Sequence, residues 1–217
     1  MRYTHKEGLK NGKTGNRKTV VLFSLISMTG GLYLLYNSLS PMIPQSGSDV
    51  QATVKKLIAE QPKPQDNRVY IPQINIDIPI VPTGNDETVA LEKGAVHRAP
   101  DSGDPKTGGN FVIAAHRFNL GLTPNSTRAK SPFYHIDSLE KGDQIYIDYE
   151  GKRYVYEIYE KSLVPPTAIE IEQRTEKPRL TMYSCELAGP TAGREVVYAK
   201  PIGTVAWSNG KPGIEAL

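Results

Sequence analysis

From residue 69 onward, apolar positions come in short β-branched and aromatic runs separated by Gly, Pro and Asp, the pattern of strands rather than helices. These runs predict strands over 69–73, 76–81, 110–116, 144–150, 152–163, 179–185 and 195–206. Gly151 separates the middle pair and predicts a tight hairpin. Short helical pieces are expected near Glu87 to Glu92 and Pro132 to Leu139. Seven or eight short strands in about 150 residues predict a mainly β domain, a barrel or a sandwich.

Two different patterns precede it. Thr19 to Tyr36 carries no charge, and as a helix these residues span about 27 Å, enough to cross a bilayer. A cleaved signal peptide is the alternative; its apolar region usually runs about 7 to 15 residues and ends at a small-x-small site. The nearest such triplet, Ser38-Leu39-Ser40, is followed directly by Pro41, which favours an uncleaved anchor. Further on, Ser48 and Gln51 fit a capping box, and Val50, Val54, Leu57 and Ile58 form an apolar stripe that can dock on the domain before Pro62 and Pro64 end the helix. The expected organisation is a basic cytoplasmic tail over 1–18, a transmembrane signal anchor over 19–36, an extracytoplasmic spacer with a short helix over 37–67, and the folded domain over 68–217.

Charge supports this division. Residues 1–18 hold six basic residues against the single Glu7, a local +5; with +3 for the whole chain, the remaining 199 residues carry −2. A nucleic-acid partner needs a basic face on the folded domain, so that class is excluded. The positive-inside rule instead places residues 1–18 in the cytoplasm and the domain outside a cell membrane.

Cys185 is the only cysteine, so no intramolecular disulfide forms, and a thiol is left over in an exported domain. By itself it reads as a packed, inert residue. Its setting is more specific. Alternation over Arg179 to Cys185 puts Leu180, Met182 and Ser184 on one face and Thr181, Tyr183 and Cys185 on the other. A turn-rich connection then leads to Arg194, so thiol and guanidinium come to adjacent strand ends. His116 ends a second apolar run, Phe111 to Ala115. A thiolate to attack, an imidazole to exchange a proton and a guanidinium to stabilise an oxyanion are the parts acyl transfer requires. One Cys and four scattered His show no metal-ligand spacing, so no metal or other cofactor is expected.

These residues together resemble the sortase family, the membrane-anchored cysteine transpeptidases of bacterial cell surfaces. The resemblance spans 69–206. Ile71-Pro72-Gln73-Ile74-Asn75-Ile76 looks like the family's opening strand, and the run from Gly108 to Arg117 like its histidine segment. The stretch from Pro132 to Asp143 is similar to the linking region, and Thr181-Met182-Tyr183-Ser184-Cys185 resembles the signature T-L-x-T-C, with Arg194 nine residues on. The resemblance implies an eight-stranded β-barrel with short helices, with Cys185 as nucleophile, His116 as general acid or base, and Arg194 as oxyanion stabiliser and motif binder. It also implies a partner: a secreted protein with a C-terminal LPxTG-like motif, cleaved between Thr and Gly. The resulting thioester would be resolved by an amine of a peptidoglycan precursor or a pilin.

Tyr183 and Ser184, with Ile169 and Ile171 of the loop before the cysteine strand, are the expected substrate contacts; His97, in a loop whose counterpart often carries a histidine, is a reserve candidate. Glu170 and Glu172 read as solvated loop carboxylates. Three departures stand out: Ser184 replaces the usual Thr, Met182 the usual Leu, and residues 119–130 look inserted. The short Cys185-to-Arg194 step places the chain nearer the class C, D and E types than the calcium-dependent class A. The alternatives are an L,D-transpeptidase, whose S-H-G-C-x-R pattern is missing, and an anchored β-domain that binds without catalysing.

Overall fold

The computed structural model describes residues 17–43, 49–208 and 211–216. Its helices are α1 (Arg17–Leu39), α2 (Val50–Ala59), α3 (Glu87–Leu91) and α4 (Pro124–Ala129). Its strands are β1 (Arg68–Ile71), β2 (Ile76–Pro82), β3 (Ala95–Arg98), β4 (Gly103–Asp104), β5 (Gly108–Ala114), β6 (Gln144–Tyr149), β7 (Lys152–Val164), β8 (Arg179–Glu186), β9 (Gly189–Ser208) and β10 (Lys211–Glu215). Pairing runs β9-β7-β6-β1-β2-β3-β5-β8, and β8 returns to β9. Eight strands thus close into a barrel, while β4 and β10 extend it at β5 and β9. Closure leaves no free edge among the eight, which decides between barrel and sandwich.

Alternation explains the interior. Phe111, Ile113, Leu180, Met182, Val197 and Ala199 are nearly or fully buried in one cluster, every second residue of β5, β8 and β9. Each of these side chains larger than alanine contributes roughly 1.5–3 kcal/mol when removed from water. Between β6 and β7 the turn residues Glu150 and Gly151 both have positive φ, 47° and 80°, the conformation of a two-residue hairpin loop that matches strand twist.

Three local features differ from expectation. Residues 95–98 are strand β3, not a loop: a four-residue run is too short to show a period, and its parallel pairing with β2 makes it a strand. Of the helix expected over Pro132 to Leu139 only a 3-10 turn, Ile136–Ser138, forms, although Phe133, Ile136 and Leu139 are fully buried. Residues 119–130 contain α4, whose start is fixed by Pro124 in the first turn and a reciprocal cap between Thr123 and Ser126.

Helix α2 packs its stripe as expected, with Val54, Leu57 and Ile58 against a cluster of Tyr146, Val155 and Val205 on the barrel's outer face. Ser48 lies outside the described residues; it is Asp49 whose carboxylate accepts from Gln51 N at 2.9 Å. The buried Arg153 forms a bidentate pair with Asp148, both contacts 2.6 Å, and its third nitrogen bonds the carbonyls of Leu57 and Glu60. That cation and Trp207, whose Nε1 donates to the Ile58 carbonyl at 3.0 Å, share the carbonyls at the C-terminal end of α2.

Candidate active site

The site lies where β5, β8 and β9 end together. Strands β5 and β8 are parallel, and their last ladder pair is Ala114 with Tyr183, followed by a bond from Ala115 N to Tyr183 O of 3.4 Å. Two residues beyond that pair stand His116 on one chain and Cys185 on the other, so strand register brings them to the same rim. On its other side Cys185 pairs directly with Arg194 of β9. Directly opposed residues share a face, so Cys185 and Arg194 project from the same side of the sheet, with the His116 segment on the neighbouring strand.

The alternation of β8 is as the sequence predicts. Leu180 and Met182 enter the barrel interior, whereas Tyr183 joins Val112, Ala114, Ala168, Ile171 and Val196 on the outer face. Cys185 follows Tyr183 on that face and is partly exposed. The register slips between Cys185 and Glu186, because residues 190–193 form a bulge in β9. Arg194 spans that bulge, donating from Nη1 to the carbonyls of Pro190 at 2.8 Å and Gly193 at 3.1 Å. Those bonds use one end of the guanidinium and tie it to the bulge of its own strand.

His116 is half-buried, and its Nε2 is buried without a hydrogen-bond partner. A buried nitrogen left unpaired costs about 1–3 kcal/mol, which a structural histidine would avoid by finding a partner. Burial pushes the imidazole below its usual 6.5; Lys130 acts in the same direction and Glu92 opposes it. Near neutral pH the ring is therefore uncharged and able to accept a proton. Beside the site, Glu195 is held above the usual carboxyl range by burial and by the neighbouring Glu186 carboxylate, with Arg117 opposing.

The connection between β7 and β8 forms a wall beside the thiol face. Its 3-10 turn, Ile169–Glu172, separates the two isoleucines: Ile169 is 75% exposed and free to meet a ligand, whereas Ile171 is 5% exposed and belongs to the packing beneath. Glu172 is not a solvated loop carboxylate. It accepts from Arg98 Nε at 3.1 Å and from Tyr183 Oη, while Arg98 also pairs with Glu87. Tyr183 Oη is thus committed to the wall. Ser184 is 1% exposed on the interior side of β8, with Oγ directed to the Cys185 carbonyl at 3.3 Å. His97 lies opposite Ile113 in the β3–β5 ladder, on the interior face, against the Phe111 ring at 4.8 Å and within 3.2 Å of the Gly103 carbonyl. The structure therefore brings Cys185, His116 and Arg194 together and leaves Ser184 and His97 on the other side of the sheet.

Sequence reasoning missed Asn110. Fully buried, it donates to the carbonyls of Ile171 and Gln173 at 2.8 and 2.9 Å and accepts from Thr181 Oγ1 at 2.6 Å. It ties the wall to both central strands. The signal was an amide inside an otherwise apolar strand run.

A family model described as Sortase, Sortase domain, matches residues 69–202. The chain belongs to the sortase family. It is 25% identical to Sortase A of Bacillus anthracis over 139 residues, covering 64% of this chain and 60% of that protein. It is 31% identical to Sortase D of Bacillus subtilis over 137 residues, covering 61% of each. The chain thus spans about three fifths of the length of these two relatives. Among solved structures, a Clostridium perfringens Sortase D5 transpeptidase matches at TM-score 0.53 and 25% identity, covering 73% of this chain and 91% of that one. Sortase E1 of Streptomyces coelicolor, solved with a tripeptide in its active site, matches at TM-score 0.56 and 23% identity over 70% of this chain and 98% of that one, a likeness of fold. Sortases of several classes share the barrel, so the match sets the family without singling out one class.

Proposed function

We propose that this sortase is a cysteine transpeptidase anchored in a cell membrane by α1, with its N-terminus in the cytoplasm and residues 68–217 as the catalytic domain outside. The observation that carries the reading is the register of the rim, with Cys185 directly opposite Arg194 and at the same strand height as His116. The substrate is the C-terminal sorting signal of a secreted protein, an LPxTG-like motif cut between Thr and Gly.

In the first half-reaction His116, neutral at the start, takes the thiol proton, and the Cys185 sulfur attacks the threonyl carbonyl carbon. A C–S bond forms, and the carbonyl electrons move to oxygen, where the guanidinium of Arg194 meets the charge without titrating. Collapse breaks the C–N bond; the leaving amine takes the proton from His116, and a thioester remains. In the second half-reaction an acceptor amine attacks that thioester, gives its proton to His116, and leaves as a new amide while the thiol is restored. A peptidoglycan precursor or a pilin lysine has the required amine. Ile169 faces the apolar residues of the motif, and Arg98, Glu172, Tyr183 and Asn110 hold the wall that presents it.

The test is a quenched-fluorescence peptide bearing the motif, incubated with the detergent-solubilised full chain and an amine acceptor. Cleavage after Thr, with the acceptor joined to the threonyl carboxyl group, supports the reading. Uncut peptide across a panel of sorting motifs, from folded protein with a titratable thiol, overturns it in favour of a domain that binds without catalysing.

A further inference from the structure

The segment that looked inserted, residues 119–130, is the receptor for the end of the apolar helix. Asn37, near the end of α1, and Ser40, just past it, are buried within it, at 2% and 0% exposure, although residues 17–36 of the helix are all exposed. Asn37 Nδ2 donates to the Gly121 carbonyl at 2.8 Å, and Thr127 Oγ1, fully buried, donates to Asn37 Oδ1 at 2.6 Å. Ser40 Oγ shares its proton between the Asn37 carbonyl at 2.8 Å and the Pro124 carbonyl at 3.1 Å, and Arg128 Nε donates to the Ser40 carbonyl at 2.9 Å. His135 Nε2 lies 2.8 Å from the Pro41 carbonyl. Residues 37–41 are therefore not a loose tether but the plug of a polar clamp.

The other side of the clamp is apolar and uncovered. Leu122 is 90% exposed, Leu120 50% and Phe118 42%. Their height relative to the helix is set by a bond: Tyr33 Oη donates to the Leu122 carbonyl at 3.0 Å. Tyr33 lies six residues before the end of α1, about 9 Å down the axis, and helical side chains lean further toward the N-terminus. Leu122 thus hangs beside the last turns of the uncharged stretch, below the level of the polar clamp. The only charges in 118–130 are Arg128, which bonds Ser40 and Asn125 within the clamp, and Lys130, which pairs with Glu92, so the tip itself, residues 118–122, carries no charge that would resist lipid.

We propose that residues 118–122 form a lipid-seating surface, with Phe118, Leu120 and Leu122 inserted in the outer leaflet beside α1. The clamp joins this seat to the helix, so the domain has a fixed height and tilt on the membrane. Three apolar side chains in lipid suffice to hold an orientation once α1 has supplied the anchor. Phe118 is two residues past His116, so the seat also sets how far the reactive rim stands from the lipid surface. The proposal rests on the membrane anchor proposed above.

The test uses the full chain carrying Cys185→Ala, reconstituted in nanodiscs, with one new cysteine at a time labelled by an environment-sensitive fluorophore: Ile26→Cys in the span, Leu122→Cys in the seat, and Lys152→Cys on the exposed β6–β7 turn. Brominated lipids are the quencher. The expected result is loss of most fluorescence at 26 and 122 and none at 152. Quenching at 26 with a water-like, unquenched label at 122 overturns the seat and keeps the anchor. Quenching at 26 with a blue-shifted but unquenched label at 122 means protein, such as a second copy of the chain, covers the tip, and also overturns it. Absence of quenching at 26 removes the anchor reading and the seat together.

Discussion

At the rim, Cys185 and Arg194 face one another because β8 and β9 pair in a fixed register; in the wall beside them, Ile169 to Glu172 have no ladder and are held by Asn110, Arg98 and Tyr183. The proposed reacting groups are positioned by backbone hydrogen bonds that any residue makes, so a side-chain change there is expected to alter chemistry and little else. The wall is positioned by a few side chains in partly dry surroundings, so a change there alters shape first. This division of labour lets a barrel keep its chemistry while its specificity surface varies.

The sharpest way to separate the two regions is Arg194→Ala. Backbone pairing of residue 194 survives, so thermal stability should hold, while kcat for peptide cleavage falls by about 10²–10³, the usual cost of losing an oxyanion donor. Arg194→Lys should recover only part, since an ammonium lacks the planar fork. Equal loss of melting temperature and activity would show that the guanidinium is part of the scaffold instead.

Asn110→Ala attacks the wall from beneath. It removes the amide's bonds to the Ile171 and Gln173 carbonyls and leaves the buried Thr181 hydroxyl without its acceptor, and a loss of about 1–3 kcal/mol in urea unfolding is expected, with faster amide exchange over 169–173 and slower exchange kept in β8. Glu172→Gln is milder. It keeps the shape but weakens the bonds to Arg98 and Tyr183, and the expected effect is a rise in KM of about tenfold, equivalent to 1.4 kcal/mol, with kcat nearly unchanged.

The smallest effect is the pH dependence of the rim. Burial lowers the affinity of His116 for a proton, and His97 is lowered by burial as well. Below the usual 6.5 the unfolded chain therefore binds protons that the native imidazoles resist, so stability rises with pH through the interval between the lowered native values and 6.5, and levels off above it. His116→Asn should flatten part of that slope in unfolding curves recorded on either side of 6.5, and the His116 ring proton should titrate below 6.5 by NMR.

The same division governs how much could be read in advance. The strands of the rim were legible because alternation and turn residues report register directly: the faces of Leu180, Met182, Tyr183 and Cys185 came out as the period of two requires. The hairpin at Gly151 was legible for the same reason. Strand β3 was not, because four residues carry no period, and with it His97 was expected near the site when it points into the barrel. Glu172 was misjudged because a carboxylate in a loop looks solvated in sequence, and only the fold sets it against Arg98 and Tyr183. The role of 119–130 was invisible for a further reason: its partners, Tyr33, Asn37 and Ser40, lie more than eighty residues away in the chain.

The central claim is that the Cys185 thiol becomes acylated at a rim shared with His116 and Arg194. Intact-mass spectrometry of the full chain, mixed with LPxTG-like peptides and quenched before acceptor amine is added, tests it directly. The account predicts an adduct with the mass of the peptide's acyl part on the wild type, discharged by added amine and missing from Cys185→Ala. An adduct that persists in Cys185→Ala, or its absence from folded wild type across the peptide panel, would contradict it.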